Sequence, residues 1–362
     1  MDNEKKVFWI WLSSVPDIGA KRFAYLLSIF KDPEAVWETS ESELLKYAPN
    51  IGKNAIYSII EQKKDENLKY AEKILHRDDI SVITIIEDEY PNLLKNIYAP
   101  PPILYIKGKL PENNLSSIAI VGSRRATYYG KQIAERLAYE LGQKGIVVVS
   151  GLARGIDAMA HQGALKAGGH TIGVLGCGVD IVYPQDNIKY YREIAEKGTL
   201  ISEYPLGTTP IAGNFPARNR IISGLSQGVV VVEARQRSGA LITVDFALEQ
   251  GRDVFAVPGN INQPCSYGTN NLIKQGAKLV MSVEDILEEL PDYIMHSRQE
   301  PESIQLDFLE TQVYNALDSE AKHIDEIGNI TGIGMGQLNS ILTKLEIRGV
   351  IKRLPGKFFV KS

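Results

Sequence analysis

Cysteine is nearly absent from this chain, with Cys177 and Cys265 the two examples in 362 residues. Neither lies in a CxxC pair or beside a histidine cluster, so a disulfide scaffold is excluded, structural zinc has no ligand set, and a reducing compartment is expected. Histidine is almost as scarce: His76, His161, His170, His296 and His323 are scattered, with no pair at metal-ligand spacing. Long apolar runs are missing as well. The opening "MDNEKKVFWIWLSSVPDIG" is apolar only briefly before Pro16 and Asp17 interrupt it, so neither a signal peptide nor a membrane span is expected and the chain reads as cytoplasmic. Positive charge is in deficit too. The formal net charge is −4, which confines any nucleic-acid surface to a local patch in an acidic body.

What is present is an ordinary globular composition, 44% hydrophobic and 23% charged, in a length that suits two or three domains. Residues 7 to about 75 read as short helices, among them "AKRFAYLLSIF", "SESELLKYA" and "KNAIYSIIEQKK". Two similar turns, "VPDIGAKRF" and "APNIGKNAI", place Gly19 and Gly52 with Lys21 and Lys53 at helix starts. They resemble the helix-hairpin-helix unit that offers backbone N–H groups to a phosphate. Asp17 and Asn50 stand where that unit has its first glycine, and simple helix packing is the other reading.

From about 80 to 290 the pattern changes to buried apolar runs alternating with amphipathic helices. "SVITII", "SSIAIVG", "GIVVVSG", "HTIGVLG", "TLISEYP", "GVVVVEA" and "DVFAVPG" are continuous rather than alternating, the mark of a parallel sheet covered on both faces. An α/β, Rossmann-like, doubly wound domain is expected over 77–290, after a helical domain over 1–76. An acidic linker is expected over 291–305. Over 306–362, helix, short helix, helix and two strands about "LPGK" predict a winged helix. From 341 to the end six Lys or Arg face one Glu, a basic tail suited to duplex DNA or to a protein partner, or simply a solvated face.

Open α/β sheets bind ligands outside the carboxyl ends of their strands. The loops there are "GSRRATYYG", "SGLARGID", "GCGVD", "SEYP", "EARQRSGAL" and "VPGN", rich in glycine, serine and arginine. Glycine lets backbone approach an anion, and arginine clamps it bidentately, so a phosphate-type ligand is expected. Standard nucleotide machinery is missing. Each Gly-Lys pair is followed by Asn54, Leu110, Gln132 or Phe358 rather than Ser or Thr, which removes the P-loop. "GCGVDI" puts Ile181 where the third glycine of a dinucleotide fingerprint belongs. Ser123, Ser150 and Ser238 have no evident base. His161 follows "SGLARGID" on a helix and either reaches the site or is structural. Phosphate-binding loops without a catalytic constellation point to a binder rather than an enzyme.

The motifs "GSRRAT", "SGLARGIDAMAHQGAL", "GCGVDIVYPQDN", "SEYPLGTTP", "FPARNRIISGLSQGVVVVEARQRSGALIT" and "EQGRDVFAVPGN" run in unbroken order from 122 to 260. They resemble the DNA processing protein A (DprA/Smf) family. The resemblance implies a single-stranded DNA-binding recombination mediator that protects incoming strands and loads RecA in natural transformation, as a competence protein. It implies a homodimer, no cofactor, no metal and no membrane partner. Its phosphate pocket falls on Gly122, Ser123 and Arg124, with Ser150, Gly151, Arg154 and Gly155 alongside, and Phe215, Arg218 and Arg220 extend it.

Phe215 either stacks on a base or packs the loop. Asp157 is expected to hold the loop through neighbouring N–H groups, and Arg220 either meets DNA or pairs with Glu203 or Glu233. The outer arginines Arg125, Arg235 and Arg237 either contact backbone or are solvated. Two alternatives remain from the sequence: a protein-interaction scaffold, and a LOG-type nucleotide phosphoribohydrolase suggested by "SGALITVDFALE". Against the second, Phe246 stands where that enzyme pattern needs its glutamate, with Glu249 beyond it.

Overall fold

The computed structural model describes residues 2–290, 307–317, 321–347 and 351–361, in two compact units divided between residues 295 and 296. The linker expected over 291–305 lies outside the described residues.

The first unit opens with helices α1 (Asn3–Ser14), α2 (Ala20–Phe30), α3 (Pro33–Glu38), α4 (Glu41–Tyr47), α5 (Lys53–Gln62) and α6 (Asp65–Leu75). Their apolar stripes close a core around Trp9, Trp11, Phe23, Leu26, Ile56 and Ile59. The other side of α1, through Val7 and Ile10, packs with Val82 and Tyr105 of the sheet, so these helices and the sheet belong to one compact unit. The two turns that look alike in sequence differ in conformation. The first places Asp17 at φ 66 and the second Gly52 at φ 87, with Asn50 inside a short 3-10 helix. Ile18 and Ile51 of these turns are buried, and Asn50 Nδ2 donates to Tyr25 Oη at 3.0 Å.

The sheet comprises β1 (Ser81–Thr84), β2 (Ile103–Gly108), β3 (Ser117–Val121), β4 (Val147–Ser150), β5 (Thr171–Val174), β6 (Thr199–Ser202), β7 (Gly228–Val231), β8 (Asp253–Ala256) and β9 (Lys278–Leu279), in the order β1-β2-β6-β5-β4-β3-β7-β8-β9. From β6 to β9 all pairs are parallel, while β1–β2 and β2–β6 are antiparallel. Helices α7 (Asn92–Lys95), α8 (Tyr128–Gln143), α9 (Ile156–Lys166), α10 (Ile188–Lys197), α11 (Asn214–Gly224), α12 (Gly239–Glu249), α13 (Tyr267–Lys274) and α14 (Glu284–Leu287) connect and cover it. β3 shows why its strands read as unbroken apolar runs. Ile118 and Ile120 face α8 and α9, Ala119 and Val121 face α11 and α12, and all four are buried.

The second unit is a winged helix: helices Phe308–Ala316, Ile324–Thr331 and Met335–Ile347, then antiparallel strands Ile351–Leu354 and Phe358–Lys361. Leu338, Ile341, Leu342 and Leu345 meet Val313, Ile327, Ile351 and Phe359 in its core. Lys352, Arg353 and Lys357 are exposed on the hairpin.

Candidate nucleic-acid interface

β3 and β7 are parallel neighbours, Val121 opposite Val231. From β3 the chain works outward through β4, β5 and β6, and from β7 outward in the other direction through β8 and β9. This reversal puts α8 and α9 on one face and α11 and α12 on the other, and opens a crevice at the carboxyl ends of β3 and β7. A cleft of about 420 Å³ occupies it, lined by Gly122, Ser123, Arg124 and Arg125 after β3 and by Arg235 and Arg237 after β7, among others.

Backbone hydrogen bonds tie its loops together. Ser123 N–H donates to Glu233 O at 2.8 Å, and Ile156 N–H donates to Ser123 O at 3.3 Å. Gly155 sits between them at φ 82, where an added Cβ would come within 2.2 Å of Ser123 O; only glycine fits. The buried Glu233 carboxylate accepts from Thr127 N–H at 2.9 Å and Thr127 Oγ1 at 2.5 Å. It therefore occupies the start of α8, where a dinucleotide-binding sheet seats a pyrophosphate. An added Cβ at Gly130 would lie 2.4 Å from its Cδ. The open part of the cleft lies between the β3 loop and the start of α12, whose N-cap Ser238 accepts from Ala240 N–H at 3.4 Å.

A second cleft of about 290 Å³ shares Arg124, Phe215 and Arg218 with the first and adds Gly151, Arg154 and Tyr183. The Phe215 ring stands between them. It is seated on Gly176, where an added Cβ would be 2.8 Å from the ring. Its centroid is 5.2 Å from that of Tyr183, and the guanidinium of Arg124 lies 5.7 Å away, within cation–π range.

The two arginines of "FPARNR" turn inward. Arg218 is 3% exposed; its guanidinium donates to Gly151 O at 3.0 Å and also to Val174 O. Burial lowers its pKa to about 10, so it stays cationic at neutral pH. Of the partners open to Arg220, it takes Glu203, in a fork of two 2.6 Å bonds, and adds Ala99 O at 3.2 Å. Asp157 behaves as expected from the sequence: its Oδ2 accepts from Gly151 N–H and Ala153 N–H at 3.2 and 3.4 Å. Burial raises its pKa, while Arg218 and those two donors oppose the rise.

His161 is structural. It is fully buried, and Thr171 Oγ1, which gives its own proton to Val148 O, can only accept from His161 Nδ1. Burial, reinforced by the Arg218 charge, holds its pKa down at about 3. Burial pushes the Cys177 thiol up to about 11, leaving it an unreactive thiol in the neutral range.

Of the expected site residues, the clefts bring together Gly122, Ser123, Arg124, Gly151, Arg154, Phe215 and Arg218. Gly155 supports them from behind. Ser150 is fully buried and donates to Ile120 O at 2.6 Å, and Arg220 is held by Glu203. Arg235 and Arg237, left open from the sequence, line the crevice. The clue to them was topological: their loop follows β7, the partner of β3 across the reversal. Arg124, Arg125, Arg235 and Arg237 are exposed, and among the described residues none has a carboxylate at ion-pair distance.

Four exposed guanidinia around the switch-point crevice of a doubly wound sheet, with a winged helix on the same chain, define a Rossmann-like protein whose strand-end edge is cationic. The chain belongs to the DNA recombination-mediator protein A family, which matches residues 81–291; the DprA winged helix domain matches residues 297–357. It is 49% identical over 214 residues to DNA processing protein DprA of Bacillus subtilis, covering 59% of this chain and 72% of that one. With protein Smf of Synechocystis it shares 32% identity over 98% of both chains. The X-ray structure of DNA processing protein A from Streptococcus pneumoniae superposes with a TM-score of 0.68 at 35% identity, over 80% of this chain and 98% of that one. The DNA processing protein A of Helicobacter pylori, whose structure is described by its single-stranded DNA binding mode, gives 0.52 at 34% identity, over 58% and 94%.

Proposed function

We propose that this protein binds single-stranded DNA along the strand-end loops, protects incoming strands and loads RecA onto them in natural transformation. It acts as a cytoplasmic homodimer and not as an enzyme. The observation that carries the reading is the set of four exposed arginines, Arg124, Arg125, Arg235 and Arg237, which have no carboxylate at ion-pair distance among the described residues, around the crevice beside β3 and β7. Phosphates would be met there by these guanidinia and by backbone at Gly122 and Ser123. The Phe215 face, between two clefts, suits stacking with an unpaired base, a contact worth about 1–3 kcal/mol. A duplex keeps its bases stacked on one another, so this contact favours single strands. Gly151 and Arg154 belong to the same site, and Ser150, Gly155, Arg218 and Arg220 serve it by holding its loops. Lys352, Arg353 and Lys357 on the wing would add a contact to duplex DNA.

The phosphoribohydrolase reading has less support. Among the described residues lining the crevice, Asp157 is the sole carboxylate, and it is committed to the Gly151 and Ala153 N–H groups.

The test is binding of fluorescent oligo-dT and of a matched duplex across a salt series, with RecA filament formation on the same oligonucleotide as the second readout. We expect tighter binding to the single strand. In Arg124→Ala the log–log salt slope should fall by about 0.7, one phosphate contact on a single strand. Unchanged affinity and slope in Arg124→Ala and Arg235→Ala would move the DNA elsewhere on the chain. Failure to speed RecA assembly would overturn the mediator role.

A further inference from the structure

Among the exposed arginines of the two clefts, Arg154 alone carries an ion pair within the described residues. Its Nε lies 2.7 Å from Asp186 Oδ2, and the two side chains are 62% and 63% exposed. A surface pair with this much exposure is ordinarily a chance meeting of two flexible chains. Here both are mounted on loops stitched together beneath them. The side chain of Asn187, next to Asp186 and 5% exposed, donates from Nδ2 to Leu152 O at 2.9 Å and to Ala153 O at 3.1 Å. Those carbonyls immediately precede Arg154. Leu152 is held at φ 52, and Asp157 grips the same loop from the other side through Gly151 and Ala153 N–H. Carboxylate and guanidinium therefore face each other from a shared rigid base, at the rim of the cleft that Arg154 and Gln185 line together with Phe215.

We propose that Asp186 is an affinity-setting residue: its carboxylate occupies Arg154 in the place of a strand phosphate and must be exchanged for that phosphate when single-stranded DNA binds. The inference rests on the strand-end loops being the DNA site. Two consequences follow from the exchange. The gain from the Arg154–phosphate contact is reduced by the loss of the Arg154–carboxylate contact. The freed carboxylate also takes up counterions as the phosphate releases them, so this contact adds less to the salt dependence than Arg124 does. Arg154 then discriminates for ligands that hold their phosphate in place through neighbouring contacts, as a strand gripped at Arg124 and Phe215 does, and against isolated small anions.

The experiment is a double-mutant cycle on the full chain: wild type, Asp186→Asn, Arg154→Ala and the double variant, titrated with fluorescent oligo-dT at several salt concentrations, with thermal unfolding recorded for each. Arg124→Ala runs beside them as the check on the site itself. Asp186→Asn should tighten binding about two- to fivefold at low salt, the range of an exposed pair, and steepen the salt slope. Both changes should vanish when Arg154 is already alanine. An equal gain in the Arg154→Ala background would make Asp186 a general repulsive charge and overturn the exchange. No gain from Asp186→Asn while Arg154→Ala and Arg124→Ala both weaken binding would also overturn it, leaving the DNA site intact. No effect from any of the variants, Arg124→Ala included, would overturn the site and the inference with it.

Discussion

Replacing Arg218 by methionine separates two meanings of the charge at the start of α11. Methionine keeps an unbranched apolar stem of similar reach, so the change is chiefly the loss of the guanidinium. Arg218 is 3% exposed and bonds Gly151 O and Val174 O. Its removal strands two buried carbonyls, each a loss of about 1–3 kcal/mol. Asp157, whose pKa is already raised by burial, also loses the cation nearest to it in effect. Breaking a buried charged arrangement this way costs about 3–5 kcal/mol in total, and the terms overlap rather than add. Urea unfolding should show a loss of unfolding free energy of that size in Arg218→Met, whereas Arg124→Ala, an exposed site, should stay within about 0.5 kcal/mol of wild type. For Arg124→Ala the loss appears instead in DNA affinity and salt slope. A stable Arg218→Met protein with a salt slope reduced by about 0.7 would refute the reasoning, because it would mean that Arg218 faces the strand.

Two further predictions follow from the same loops. His161 has its pKa lowered to about 3 by burial, so between that value and the ordinary histidine range the unfolded chain binds a proton that the folded one refuses. Its contribution is full above about pH 6.5 and is lost as pH falls, at up to about 1.4 kcal/mol per pH unit; His161→Gln should flatten the stability profile between pH 6.5 and 4, and a profile identical to wild type would refute this. Gly155→Ala forces a Cβ to 2.2 Å from Ser123 O at φ 82 and should destabilise by more than about 1 kcal/mol; a wild-type unfolding midpoint would mean that this turn can relax without harm.

Much of this architecture was readable because burial on both faces removes alternation: β3, β4, β5 and β7 are apolar at nearly every position and could not be mistaken for half-exposed strands. β2 was missed for a related reason. Its run "ILYIKG" follows Pro100, Pro101 and Pro102, turn-prone residues that mask the start of a strand, and its antiparallel pairing to β6 leaves no crossover helix as a marker. β9, two residues long, carries too little pattern to find. In the site, residue type was legible and direction was not. Arg218, Arg220, Arg235 and Arg237 are chemically the same side chain; whether each meets a carbonyl, a carboxylate or open solvent depends on helix phase and on which strand its loop follows.

That sorting of identical charges explains how an acidic chain can present a cationic crevice. The inward-turned cations are consumed internally: Arg218 by the carbonyls of Gly151 and Val174 at two strand ends, Arg220 by Glu203, each fixing loop geometry. The carboxylate that could repel a ligand at the start of α8, Glu233, is tied to Thr127 and lies 3% exposed. Its position there also blocks the pyrophosphate seat of an ordinary dinucleotide site, so in the proposed function the strand would lie further out, where Arg124, Arg125, Arg235 and Arg237 stand in solvent. An exposed array of this kind makes individually weak, salt-sensitive contacts. Such contacts become useful when many neighbouring phosphates engage at once, which a polymer supplies and a mononucleotide does not. In the proposed DNA site, preference for a strand over a small nucleotide would thus depend on where Glu233 sits as much as on the arginines themselves.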